Sequence, residues 1–232
     1  MKHSSETKQG AIKYLFMLLW QRIIGVAIFI LSAGTIANLQ GIVYFSLYLV
    51  ISVIACILMY RDHQDTLSER GKRHENTKSW DKVLMPVYVL LAFYVIYLIA
   101  GLGIRYQWEQ LSINWFYAGI ILYLISSVLT IWPVFENKHF ESTSRIQNDR
   151  EQAVISTGPY RIVRHPGYLG IVIWAIATSF MFGTLAVGIT AAIIIAVIVI
   201  RTYLEDTMLK KELKGYQVYA KKVKYRLIPY IW

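Results

Sequence analysis

Cysteine occurs once in these 232 residues, at Cys56 inside an apolar run. An intrachain disulfide is therefore excluded, and core packing is the plain role for that thiol. Charge is scarce as well. Asp, Glu, Lys and Arg make up 16% of the chain, against about 25% in ordinary soluble domains. Strand–helix alternation is missing, and no G-x-G-x-x-G follows a strand; Gly101-Leu-Gly103 ends an apolar run, which excludes a soluble dinucleotide fold. No G-x-S-x-G elbow occurs. The histidines (His3, His63, His74, His139 and His165) lack H-x-x-x-H or C-x-x-C spacing, so no metal site is expected. Internal repeats and low-complexity tracts are absent too.

What is present is apolar: 56% of the residues are hydrophobic, gathered in blocks such as Ile23–Ala37 and Ile189–Ile200. A helix crosses a bilayer with about 20 apolar residues. Six stretches suit that length, at about 16–37, 42–60, 83–102, 115–135, 167–182 and 184–204. The last two are parted only by Phe182-Gly183-Thr184, which predicts a tight helical hairpin, tilted or with an incomplete fifth crossing. The expected fold is an all-α, polytopic integral membrane bundle of about six helices, forming one domain over 1–232. Trp20, Trp80, Trp108, Trp115 and Trp132 fall near span ends, as an aromatic belt requires.

The formal charge of +10 could serve nucleic acid, anionic lipid or membrane topology. With six spans, 23 of the 24 Lys and Arg fall on one side, and only Arg105 on the other. That side is expected to be cytoplasmic, with both termini inside and the inner membrane as the location. Topology thus accounts for the charge, and nucleic acid is not an expected partner. Lysines ahead of 23–37 followed by Thr35-Ile36-Ala37 also fit a cleaved leader. Arg22 and the preceding YLFMLLW favour a retained anchor.

Chemistry is expected on the cytoplasmic face of the C-terminal half. GPYRIVRHPGYLG, residues 158–170, combines a Gly-Pro turn with Pro166, which suits the first position of a helix and keeps His165 out of helical geometry. Free N–H groups there, with Arg161, Arg164 and His165, suit an anion. Gly167 and Gly170 would admit a flat ligand or another backbone. Further on, RTYLEDTMLKKELKGYQVYAKKVKYRLIP (201–229) carries Glu205 and Asp206. Arg201 and Glu205 are four apart and can pair on one helix face. An acidic pair late in a helix opposes the dipole, which hints at a ligand. After Gly215, tyrosines and lysines alternate as in a segment lying on anionic lipid. Locally, an interface turn and a solvated helix face explain these features equally well. Their juxtaposition across the hairpin favours a ligand carrying both charges.

At these residues the chain resembles the isoprenylcysteine carboxyl methyltransferase family, integral membrane enzymes related to the phospholipid N-methyltransferases. The approach segment RIQNDREQAVIST and, more loosely, LSERGKRHENTKSWDK extend the likeness over roughly Leu67–Trp232, leaving 1–66 undiagnostic. The resemblance implies an S-adenosylmethionine site mainly within 158–232. It implies Tyr160, Val163, His165, Pro166, Tyr168, Leu169, Gly170, Glu205, Asp206 and Tyr219 as cofactor-binding residues. Pro229 and Arg226 match the family's tail, and Asp206 stands where the family usually has a second Glu. Arg164 and Arg226 are the expected catalytic arginines, for an acceptor carboxylate near the sulfonium. A carboxylate acceptor needs no general base, whereas an amine or thiol does, and no convincing base is visible. The expected acceptor is a lipophilic small molecule or prenyl-type substrate, with membrane lipids as surroundings. Alternatives are amine or thiol methylation, a membrane reductase using NADPH, or a non-catalytic lipid-binding component.

Overall fold

The computed structural model describes residues 5–72 and 74–232; His3 lies outside them. Among the described residues the structure is helical, with no strand. Helix α1 covers Ser5–Ala33, α2 Leu39–Asp62, α3 Gln64–Arg70, α4 Asp81–Arg105 and α5 Ile113–Glu136. Then follow α6 (Pro166–Phe182), α7 (Leu185–Glu212) and α8 (Tyr216–Lys222). Five of these, α1, α2, α4, α5 and α7, are long and apolar enough to cross a membrane. The expected fifth crossing, 167–182, is the 17-residue apolar helix α6, shorter than those five.

Local chemistry sets the helix ends. Asn38 caps α2, its Oδ1 accepting from the Gly41 N–H at 2.9 Å. Pro166 occupies the first turn of α6, preceded by the non-helical His165. Gly183 closes α6 at φ 67°, a left-handed value that glycine adopts without strain, and Thr184 caps α7. Within α4 a π-helical turn, Leu91–Val95, bulges the backbone.

Large apolar side chains such as Phe16, Leu31, Ile57, Leu90, Ile121 and Ile189 are exposed on the outer faces. A surface of that kind fits hydrocarbon rather than water, and this is an integral membrane protein. The buried centre is aromatic: Tyr44, Phe45, Tyr48, Tyr97 and Phe182 cluster between α2, α4 and α6. Helices α5 and α6 form the closest pair. A Cβ on Gly119 would lie 2.7 Å from Met181 Cγ, and one on Gly170 would lie 2.8 Å from the Thr130 backbone nitrogen. Small residues at both crossings let the two backbones approach.

The polar segment after α5 folds over one end of the bundle. Ser144 donates its N–H to Asp81 Oδ2 at 2.6 Å, and its carbonyl accepts from Lys78 at 3.0 Å. Arg145 grips both oxygens of Glu141 at 2.8 Å and reaches Asp149 at 2.6 Å. The tail runs beside the turn before α6: Arg164 and His165 donate backbone N–H groups to the carbonyls of Tyr225 and Arg226.

Candidate functional site

The turn before α6, the second half of α7 and the tail converge where sequence reasoning placed them. Their ion pairs are distributed differently. Asp206 is completely buried. Its Oδ1 accepts from Arg164 Nε at 2.7 Å and the Tyr216 hydroxyl at 3.0 Å; its Oδ2 accepts from Arg164 Nη2 at 3.1 Å, Arg226 Nε at 2.9 Å and Lys210 Nζ at 2.7 Å. Arg164 Nη1 adds bonds to the carbonyls of Val223 and Lys224 at 2.7 and 2.8 Å. Burial opposes the Arg164 charge, but the Asp206 carboxylate outweighs it and holds the guanidinium above its ordinary range. Asp206 is thus the node that ties turn, helix and tail together.

Glu205, one residue earlier, faces the other way. It accepts from the Tyr168 hydroxyl at 2.5 Å and from Ser144 Oγ at 2.8 Å. The expected Arg201–Glu205 pair does not form. Arg201 turns to Asp81, 120 positions earlier, with Nε–Oδ1 at 2.6 Å and Nη2–Oδ2 at 3.1 Å, and also donates to the Ser142 carbonyl. Among the described residues Glu205 has no cationic partner within 4 Å, and it lines a cavity. His165 lies parallel to Tyr168 with centroids 5.6 Å apart, and its Nε2 is 3.5 Å from Asp206 Oδ1.

That cavity measures about 740 Å³. At its polar end stand Tyr160, Glu205, Leu213, Tyr216 and Tyr219. Burial raises the phenols of Tyr160, Tyr216 and Tyr219 above their ordinary range, so all three stay neutral hydroxyls. The Tyr219 hydroxyl donates to the Tyr160 carbonyl at 2.7 Å. The cavity continues between α1, α2, α4 and α5, past Ile24, Ile51, Val89 and Ile131. One space therefore joins a polar mouth to an apolar interior.

Of the sequence candidates, Tyr160, Arg164, His165, Pro166, Tyr168, Glu205 and Tyr219 line this cavity. Val163, Leu169, Gly170, Asp206 and Arg226 do not. Gly170 is taken up by the α5 backbone, and Gly167 faces the Phe140 ring, 3.0 Å from where a Cβ would sit. Arg226 lies over Trp232 and pairs with Asp206 behind the wall. Tyr216–Lys222 turns Tyr216 and Tyr219 inward, three apart on one face of a helix, rather than alternating along a lipid surface. Sequence reasoning missed Ser144 and Tyr216 as cavity-lining residues, and Asp81 as the partner of Arg201. Only Tyr216 left a signal, in its spacing from Tyr219. His74 comes within 4.8 Å of Glu69 and Glu141 through the fold, but Arg145 already holds both Glu141 oxygens.

Known proteins share this segment. Residues 119–211 match the model of the Isoprenylcysteine carboxyl methyltransferase (ICMT) family. Two similar relatives are named "Probable protein-S-isoprenylcysteine O-methyltransferase", from Oryza sativa subsp. indica and subsp. japonica. Each is 25% identical over 130 residues, covering 55% of this chain and 67% of the relative. Residues 119–211, which hold both the turn before α6 and the acidic pair, are thus similar to the isoprenylcysteine carboxyl methyltransferase family.

Proposed function

We propose that this membrane methyltransferase transfers a methyl group from S-adenosylmethionine to the carboxylate of a lipophilic, prenyl-type acceptor. One observation carries the reading: one continuous cavity runs from the Glu205 carboxylate into an apolar interior. The donor is cationic at sulfur and ammonium, and Glu205 is a carboxylate at the cavity wall with no cation within 4 Å among the described residues. Tyr160, Tyr216 and Tyr219 offer ring faces and carbonyl neighbours to a purine. Those residues, with His165 and Tyr168, would hold the cofactor. It would supply an electrophilic methyl group.

A carboxylate acceptor is already a nucleophile at neutral pH, so no proton need be removed. The task left to the protein is alignment and exclusion of water. Helices α1, α2, α4 and α5 wall the interior with apolar side chains that suit an isoprenoid chain entering from lipid. The charge pattern supports both termini, and the mouth of the cavity, on the cytoplasmic side of the inner membrane, with α6 paired to α7 as a short hairpin.

The test uses purified full-length protein in lipid nanodiscs, methyl-labelled S-adenosylmethionine and N-acetyl-S-farnesylcysteine. Label released as methanol by alkali marks a methyl ester and is the expected product. Absence of labelled ester, together with no cofactor binding by calorimetry, would remove the proposal.

A further inference from the structure

Arg22 stands in the apolar half of the cavity, outside the matched family segment. It lies eight residues beyond Tyr14 on α1, about 12 Å further along the helix axis. Its Nη1 donates to the Tyr48 hydroxyl at 2.7 Å, and the guanidinium lies 4.6 Å from the Tyr48 ring and 4.7 Å from that of Phe93. Nε is sealed from solvent and has no acceptor among the described residues.

Other arginines in and around the bundle differ in kind. Arg164 and Arg226 pair with Asp206, Arg201 with Asp81, and Arg145 with Glu141 and Asp149. Among the described residues Arg22 has no carboxylate within 4 Å. A guanidinium inside a spanning helix is expensive, and such residues mark ligand paths. Aromatic rings and one phenol offset part of that expense and hold the group in place, but they leave its charge unmatched. Its neighbours on the cavity wall, Ile24, Ile51, Ser52, Cys56 and Phe93, supply no anion.

We infer that Arg22 is a substrate-recognition residue that receives the ionised carboxylate of the lipophilic acceptor, with Tyr48 fixing the guanidinium. The inference rests on the methyltransferase reading above. It reassigns a role that sequence reasoning gave to Arg164 and Arg226, whose guanidinium groups are spent on Asp206. A planar guanidinium suits a carboxylate better than a neutral group of the same shape. Methylation abolishes the charge, so the ester loses this partner and is released towards lipid. Arg70 also lines the cavity without a carboxylate, but it gives Nε to Tyr14 and Nη1 to the Phe140 carbonyl.

The experiment compares binding of N-acetyl-S-farnesylcysteine and its carboxamide to full-length protein in nanodiscs. Wild type is expected to prefer the acid by tenfold or more, about 1.4 kcal/mol. Arg22→Gln should lose that preference while binding the amide within twofold of wild type, and in turnover should raise KM for the acid more than it lowers kcat. Arg22→Lys should keep part of the preference, and Arg70→Gln nearly all of it. A wild type that binds acid and amide alike, or an Arg22→Gln protein that still discriminates, overturns the inference. If Arg22→Gln does not fold, the wild-type ratio and its reduction in Arg22→Lys decide, and an unreduced ratio overturns it. Retained S-adenosylmethionine binding without acid preference defeats only this inference. No S-adenosylmethionine binding in wild type defeats the methyltransferase reading itself.

Discussion

Replacing Asp206 by Asn keeps the shape of the side chain and removes the charge that three cations share. The three are not equally stranded by the change. Arg226 and Lys210 keep 23% and 35% of their side chains exposed, so water takes over much of their solvation. Each should contribute less than about 1 kcal/mol. Arg164 is only 4% exposed and faces the empty charge directly. Leaving one buried ion without its partner costs about 3–5 kcal/mol. At about 2–4 °C per kcal/mol for a chain of this size, the thermal midpoint in detergent should fall by about 6–20 °C. Adding Arg164→Met should recover most of the loss, because no buried charge is then unpaired. Tryptophan fluorescence on heating, with S-adenosylmethionine calorimetry on the same samples, provides the measurement. An Asp206→Asn midpoint within about 2 °C of wild type, with cofactor affinity reduced tenfold, would refute the reasoning; the carboxylate would then touch the ligand instead of tying the tail to α7.

Glu205→Gln is expected to do the reverse: a tenfold or greater loss of S-adenosylmethionine affinity with the midpoint nearly unchanged, because the Tyr168 and Ser144 hydroxyls can still donate to the amide oxygen. A large drop in midpoint with unaltered affinity would contradict it. Gly170→Ala should destabilise by about 1–3 kcal/mol by forcing α5 from α6, as its Cβ would meet the Thr130 backbone at 2.8 Å; an unchanged midpoint would count against that contact. His139 is 4% exposed, neither ring nitrogen has a hydrogen-bond partner among the described residues, and burial, aided by the nearby Arg150 charge, pushes its imidazole below the ordinary value. The unfolded chain takes up this proton near pH about 6.5 while the folded chain resists it, so stability is lost as pH falls below that value. His139→Phe should flatten the midpoint-versus-pH curve between pH about 7 and about 5, and parallel curves for the two proteins would exclude the effect.

Much of the architecture is local in origin and could be read from the chain. Twenty consecutive apolar residues must be helical in lipid because every backbone N–H needs an internal partner, so the spans were legible from composition. Gly183, Asn38 and the His165-Pro166 step end or begin helices through their own backbone preferences, whatever packs around them. That the acidic pair and the turn before α6 meet was legible for a similar reason, since the short Gly183 connection sets α6 and α7 side by side and makes their far ends neighbours.

What tertiary structure decided is which charge meets which. Arg201 has Glu205 at an ideal helical spacing and still pairs with Asp81, since folding brings that carboxylate to bidentate distance where both groups are buried. Glu205 and Asp206, adjacent in sequence, part by about 100° on the helix: one joins the cavity wall, the other disappears into an ion cluster behind it. Sequence periodicity ranks neighbours along one helix and has no term for a residue 120 positions away. Arg22 belongs to the same class, because in the chain it is one cation near the start of an apolar run. Only the packing of α1 against Tyr48 and Phe93 makes it a cavity-lining cation with no carboxylate within 4 Å among the described residues.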